Sequence, residues 1–74
     1  MEKTYMIYDH DSHYYFDRDD NLARRICKAH SRINKNLTLL FRLTKTEGMH
    51  TIYTRIDGYK NGRHMKKYDS YSIV

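Results

Sequence analysis

The stretch LTLLFRLTKTEGMHTIYTRID, residues 37–57, decides the fold. Leu37, Leu39, Phe41 and Leu43 recur with a period of two, which puts them on one side of a strand. Ile52, Thr54 and Ile56 share a side of the next run. Glu47 and Gly48 between the runs read as a two-residue loop. That loop sets Thr46 opposite Met49, Leu43 opposite Ile52, Phe41 opposite Thr54 and Leu39 opposite Ile56. The apolar residues then meet on one face, and agreement of this kind fixes the register of an antiparallel hairpin. Phe41 is expected to point inward, with Arg42 and Arg55 on the outer face.

Downstream, Asn61 and Gly62 are a strong turn signal, because both tolerate positive φ. A strict two-residue loop there would set Ile56 opposite Lys67. A four-residue loop, residues 59–62, sets Ile56 opposite Met65 and Tyr53 opposite Tyr68, and is the expected form. Lys66 and Lys67 then fall on an edge strand, where charge discourages pairing with other chains.

Upstream, Leu22, Ile26, Ala29 and Ile33 are spaced as one helical stripe. Asp19, Asp20 and Asn21 precede it, where side-chain oxygens cap free N–H groups and negative charge suits the helix dipole. The residues NKN, 34–36, end it. Earlier still, KTYMIY (3–8) is rich in β-formers, DHDS (9–12) reads as a turn, and HYYFD (13–17) as a strand-like extension. The order is β-α-β-β-β. The expected fold is α+β, a single helix packed on one face of a three- to four-stranded antiparallel sheet, in one small domain spanning residues 1–74.

Seventy-four residues bury a limited core. The chain has one cysteine, Cys27, so disulfides do not supplement that core, and a lone Cys fits a reducing compartment. Cys27 reads as helix packing rather than a nucleophile. No segment has the length and apolarity of a membrane span, and the first residues lack the apolar core of a signal peptide. A cytoplasmic protein with no membrane partner is expected, as a monomer or a homodimer.

Charge is unevenly placed. Residues 1–20 carry six acids and two bases, and residues 21–74 three acids and twelve bases. The balances of −4 and +9 make up the net +5, and they point to a basic face suited to nucleic acid or an acidic protein surface. Two groups of residues are candidates. One is the hairpin set Tyr53, Arg55, Tyr59, Lys60, Arg63, Lys66, Lys67 and Tyr68, which interleaves rings with cations as nucleic-acid surfaces do. The second is Arg24, Arg25, Lys28 and Arg32 on the helix. Arg25, Lys28 and Arg32 line up without acidic i±4 partners, and such stacking disfavours the helix by a few tenths of a kcal/mol per pair. Both sets also have a plain reading as solvated, solubilising surface. The hairpin is preferred because it adds tyrosines, and the two sets are expected on opposite sides of the sheet.

The first strand KTYMIY, the helix LARRICKAH, and LTLLFRL followed by IYTRIDGYKNGRHMKKY together resemble small phage-encoded anti-CRISPR and anti-defence proteins of β-α-β-β-β order. The resemblance is closest to those that bind the type I-F surveillance complex. It covers most of the chain by pattern and order; HYYFDRDD and the tail of the last strand depart from it. It implies a phage or mobile-element inhibitor in the host cytoplasm. Such a protein docks on a host protein or nucleoprotein complex through its basic, tyrosine-rich positions and blocks nucleic-acid access. A module that binds DNA or RNA directly is the alternative. A small ribonuclease toxin is a third reading, with Arg55, Arg63, His64 and Tyr68 as charge clamp and acid–base groups. The helical hairpin that precedes the sheet in such toxins is missing. The Asp and His residues of DHDSHYYFDRDD match neither an EF-hand nor a zinc signature, so no metal and no cofactor are expected.

Overall fold

The computed structural model describes residues 3–66. Strand β1 (Tyr5–Tyr8) and strand β2 (His13–Phe16) form an antiparallel pair. Asp9 holds the turn between them: its Oδ1 accepts from the Asp11 N–H at 3.0 Å and the Ser12 N–H at 2.9 Å. This is the local bonding that makes Asp a turn residue. Helix α1 (Asp20–Asn34) starts where Asp19 accepts from the Leu22 N–H at 2.8 Å. It ends at Lys35, which adopts the left-handed conformation and donates its N–H to the Ser31 carbonyl. Strands β3 (Leu37–Glu47), β4 (His50–Lys60) and β5 (Arg63–His64) complete a five-stranded antiparallel sheet of order β2-β1-β3-β4-β5. The α+β fold is therefore as read from the sequence, with a strand or two more. No helix among the described residues is long and apolar enough to cross a membrane.

The hairpin registers differ from those expected. Gly48 and Met49 form the first loop, so Glu47 faces His50. Gly48 takes φ +59° at the first loop position, as a tight II′-type hairpin loop requires. Two bulges then shift the ladder: Leu43 faces Tyr53 rather than Ile52, Phe41 faces Arg55 rather than Thr54, and Leu39 faces Gly58 rather than Ile56. Each bulge adds a residue on one strand, Ile56 on β4 and Thr44 on β3, and so resets the alternation there. The second loop is the strict two-residue one. Lys60 faces Arg63 and Tyr59 faces His64, with Asn61 and Gly62 at φ 51° and 80°. Met65 bonds to Gly58 instead of facing Ile56. Tyr68, expected opposite Tyr53, lies outside the described residues.

The face that meets the helix is also the other one. Thr38 and Leu40, not Leu39 and Phe41, lie beneath α1, with Tyr5, Ile7, Ile56 and Tyr59. Phe41 is buried on the helix-free side, between Met6 and Arg55 in the ladders. The helix is likewise turned by about 100°, one residue's rotation. Its buried seam is Ala23, Cys27 and Ser31, at i, i+4 and i+8, while Leu22, Ala29 and Ile33 are exposed and Ile26 is part-buried. Small side chains let the helix axis approach the sheet closely, and the seam follows size rather than hydropathy. Cys27, sealed in that seam, has its thiol pushed up by burial and by the Asp57 charge, which keeps it an inert packing group.

Candidate nucleic-acid interface

Asp57 is 1% exposed, lies on the helix side of β4, and organises this end of the molecule. Arg24 Nη1 and the Tyr59 hydroxyl each reach its Oδ2 at 2.7 Å. The Gly58 N–H reaches Oδ1 at 3.0 Å, and His64 Nε2 lies 2.7 Å from the same oxygen. A buried carboxylate is tolerated only when paired and hydrogen-bonded in this way. Burial, followed by the hydrogen bond to Asp57 and that carboxylate's charge, pushes the Tyr59 phenol up, so it stays a donor. Burial opposes the charge on Arg24, but Asp20 at 2.9 Å and Asp57 outweigh it and raise its pKa. Arg24, expected to be a binding residue, is thus committed to the fold. Tyr59, expected as a surface ring, is buried under the helix.

The remaining bases form an edge. Arg24, Lys28 and Arg32 follow i, i+4 and i+8 along the flank of α1 that faces β4 and β5. Arg32 lies over the second hairpin turn, so close that a Cβ at Gly62 would sit 2.8 Å from its Nε. The Gly62 N–H donates to the Ser31 hydroxyl at 3.0 Å, tying the turn to the helix. Lys60 and Arg63 flank that turn as cross-strand partners, and both are exposed. Lys28 and Arg32 of the helix set and Lys60 and Arg63 of the hairpin set, expected on opposite sides of the sheet, therefore meet around one edge. Their meeting depends on the tight Asn61 and Gly62 loop, which a four-residue loop would have displaced. Lys66 follows just after β5 and is exposed; Lys67 and Tyr68 lie outside the described residues.

Tyr53 and Arg55 stand apart from this edge, on the helix-free face. The Tyr53 hydroxyl donates to the Lys3 carbonyl at 2.8 Å, and its ring meets Tyr15 edge-on at 5.8 Å. Half-buried Met6, Tyr8, Leu37, Leu39 and Leu43 share that face.

Acids and bases differ in how far they are engaged within the chain. Of seven described acids, six bond within the chain: Asp9, Asp17, Asp19, Asp20, Glu47 and Asp57. Asp17 and Asp20 are held below the usual carboxylate range, mainly by Thr4 and by Arg24 respectively. Arg25, Lys28, Arg32, Lys35, Lys60, Arg63 and Lys66 have no ion-pair partner among the described residues. Asp57 and its partners were not legible as a group in the sequence. The one available signal was an acid set between Ile56 and Gly58 in an otherwise basic hairpin. No group of three or more His, Cys, Asp or Glu among the described residues is placed to hold a metal ion. Comparison with protein-family models, curated proteins and solved structures finds no match.

Proposed function

We propose that this protein is a non-catalytic binding protein whose basic edge docks on a nucleic-acid-bearing partner. The supporting observation is the unequal engagement of charge: six of the seven described acids bond within the chain, while Lys28, Arg32, Lys60 and Arg63, around one edge, have no ion-pair partner among the described residues. Clustered cations of this kind create a field that attracts phosphate and acidic surfaces. With the resemblance to phage anti-defence proteins, the reading becomes an inhibitor that occupies a host defence nucleoprotein complex and blocks its nucleic acid. The half-buried rings of the helix-free face favour a second reading, direct binding of DNA or RNA.

The test is the triple variant Lys28→Glu, Arg32→Glu, Arg63→Glu. It should lose its partner in a pull-down from bacterial lysate while its melting temperature stays within a few degrees of the parent. Nuclease treatment of the lysate separates the two readings, since a protein surface survives it and a bare nucleic acid does not. Retention of the partner by the triple variant would remove the edge as the site. Loss of the protein's effect in His64→Ala with partner binding intact would overturn the non-catalytic reading.

A further inference from the structure

Beside the basic edge, the helix-free face dips into a depression of about 310 Å³, lined by Tyr8, His10, Asn36, Leu37, Leu39 and Lys60. That volume is at the lower end of the range for ligand sites, about 300–1,000 Å³. Its floor is built by alternation on β3, where Leu37 faces Lys60 and Leu39 faces both Tyr8 and Gly58. Glycine supplies no side chain to the wall at that point. Two left-handed residues set its rim. His10 has φ 87°, held by the Asp9 turn, and Lys35 has φ 60°, which turns the chain from the helix into Asn36. The side chains of His10, Asn36 and Lys60 have no hydrogen-bond or ion-pair partner among the described residues.

An apolar floor, one aromatic wall and three unengaged polar groups suit a flat ligand with a polar rim and a nearby negative charge. We propose that the depression is a subsite for one unpaired nucleotide of a single strand. The base lies on Leu37 and Leu39 against Tyr8, the Asn36 amide meets its hydrogen-bonding edge, and Lys60 takes the adjoining phosphate. An amide presents donor and acceptor together, as base edges do, and tyrosine offers a stacking surface. A duplex keeps its bases stacked inside, so this site discriminates single strands from double. The inference deepens the reading above, from which it takes the nucleic acid. It adds a base-holding site to the charge-holding edge.

The experiment is a titration of isotope-labelled protein, followed by NMR, with a short single strand, the same sequence as duplex, and an abasic strand of equal length. The normal single strand should shift the amides of His10, Asn36, Leu37 and Leu39. The abasic strand, which keeps its phosphates, should shift only those around Lys28, Arg32, Lys60 and Arg63. Asn36→Ala should weaken the normal strand about tenfold, the loss of one good base-edge contact, and leave the abasic strand and the duplex unchanged. Equal affinity of normal and abasic strands for the parent protein would overturn the subsite. If that occurs while the charge-reversal triple still loses its lysate partner, the edge survives and the subsite alone fails. If no strand binds and the triple keeps its partner, both fail.

Discussion

Replacing Asp57 by alanine should come close to unfolding the protein, and the structure says by how much. The substitution leaves the Tyr59 hydroxyl and the Gly58 N–H in the interior without their acceptor. A buried donor left in that state costs about 1–3 kcal/mol, so the two together cost roughly 2–6 kcal/mol. Arg24 keeps Asp20, and His64 is 45% exposed, so both recover solvent or another partner and add little. At ~0.05–0.15 kcal/mol per residue, a 74-residue domain has about 4–11 kcal/mol in total. Urea unfolding followed by circular dichroism should therefore show a large drop in midpoint for Asp57→Ala. Tyr59→Phe alone should cost about 1–2 kcal/mol, because it takes a donor from the carboxylate. In the Asp57→Ala background the same change should be neutral or stabilising, since it deletes an orphaned group. The double-mutant cycle should thus give a coupling of about 1–3 kcal/mol. A loss below about 1 kcal/mol for Asp57→Ala, or an equal effect of Tyr59→Phe in both backgrounds, would refute the view that the network is a single buried unit.

Two further results are expected. Leu40→Ala should destabilise by about 2–5 kcal/mol, as buried leucines do, and half-buried Leu39→Ala by clearly less, with equal losses in chemical denaturation counting against the observed register. The hydrogen bond from His30, helped by the Ser12 and Asp11 N–H groups and Asn34 and opposed by burial, lowers the Asp9 carboxyl from 3.8 to about 2. A depressed carboxylate stabilises the fold above its unfolded value and loses that contribution as pH falls from 3.8 through about 2, so this window should cost of order 2 kcal/mol. Thermal melts of Asp9→Asn should show a shallower acid limb than the parent, and an unchanged limb would contradict the assignment.

The parts of the fold that depend on near neighbours were legible. Asp19 caps the helix, Asn61 and Gly62 turn the last hairpin, and the alternation of residues 37–43 marks a strand, because each rests on bonding or sterics within a few residues. The faces were not legible. The run LTLLFRL is apolar at both parities around Leu40, and the residues that seal the core opposite it are small or polar: Ala23, Ser31, Thr38 and Asp57. Hydropathy does not register a buried Asp whose partner Arg24 is 33 residues away. Nor does it register the bulges at Ile56 and Thr44, each of which resets the alternation on its strand. Of the candidate site, the sequence offers Lys28, Arg32, Lys60 and Arg63 as bases but not their position relative to one another. Their meeting at one edge required the turn and the helix to be in place.

The unequal engagement of acids and bases has an evolutionary consequence. A lineage altering what this surface attracts has a comparatively free set of letters, the exposed lysines and arginines that have no ion-pair partner among the described residues. The acids are not free in that sense, because neutralising Asp9, Asp20 or Asp57 removes structure along with charge. Drift in affinity therefore runs mainly through the bases, and related chains diverging toward other targets should vary at positions 28, 32, 60 and 63 while Asp9, Asp20 and Asp57 stand still.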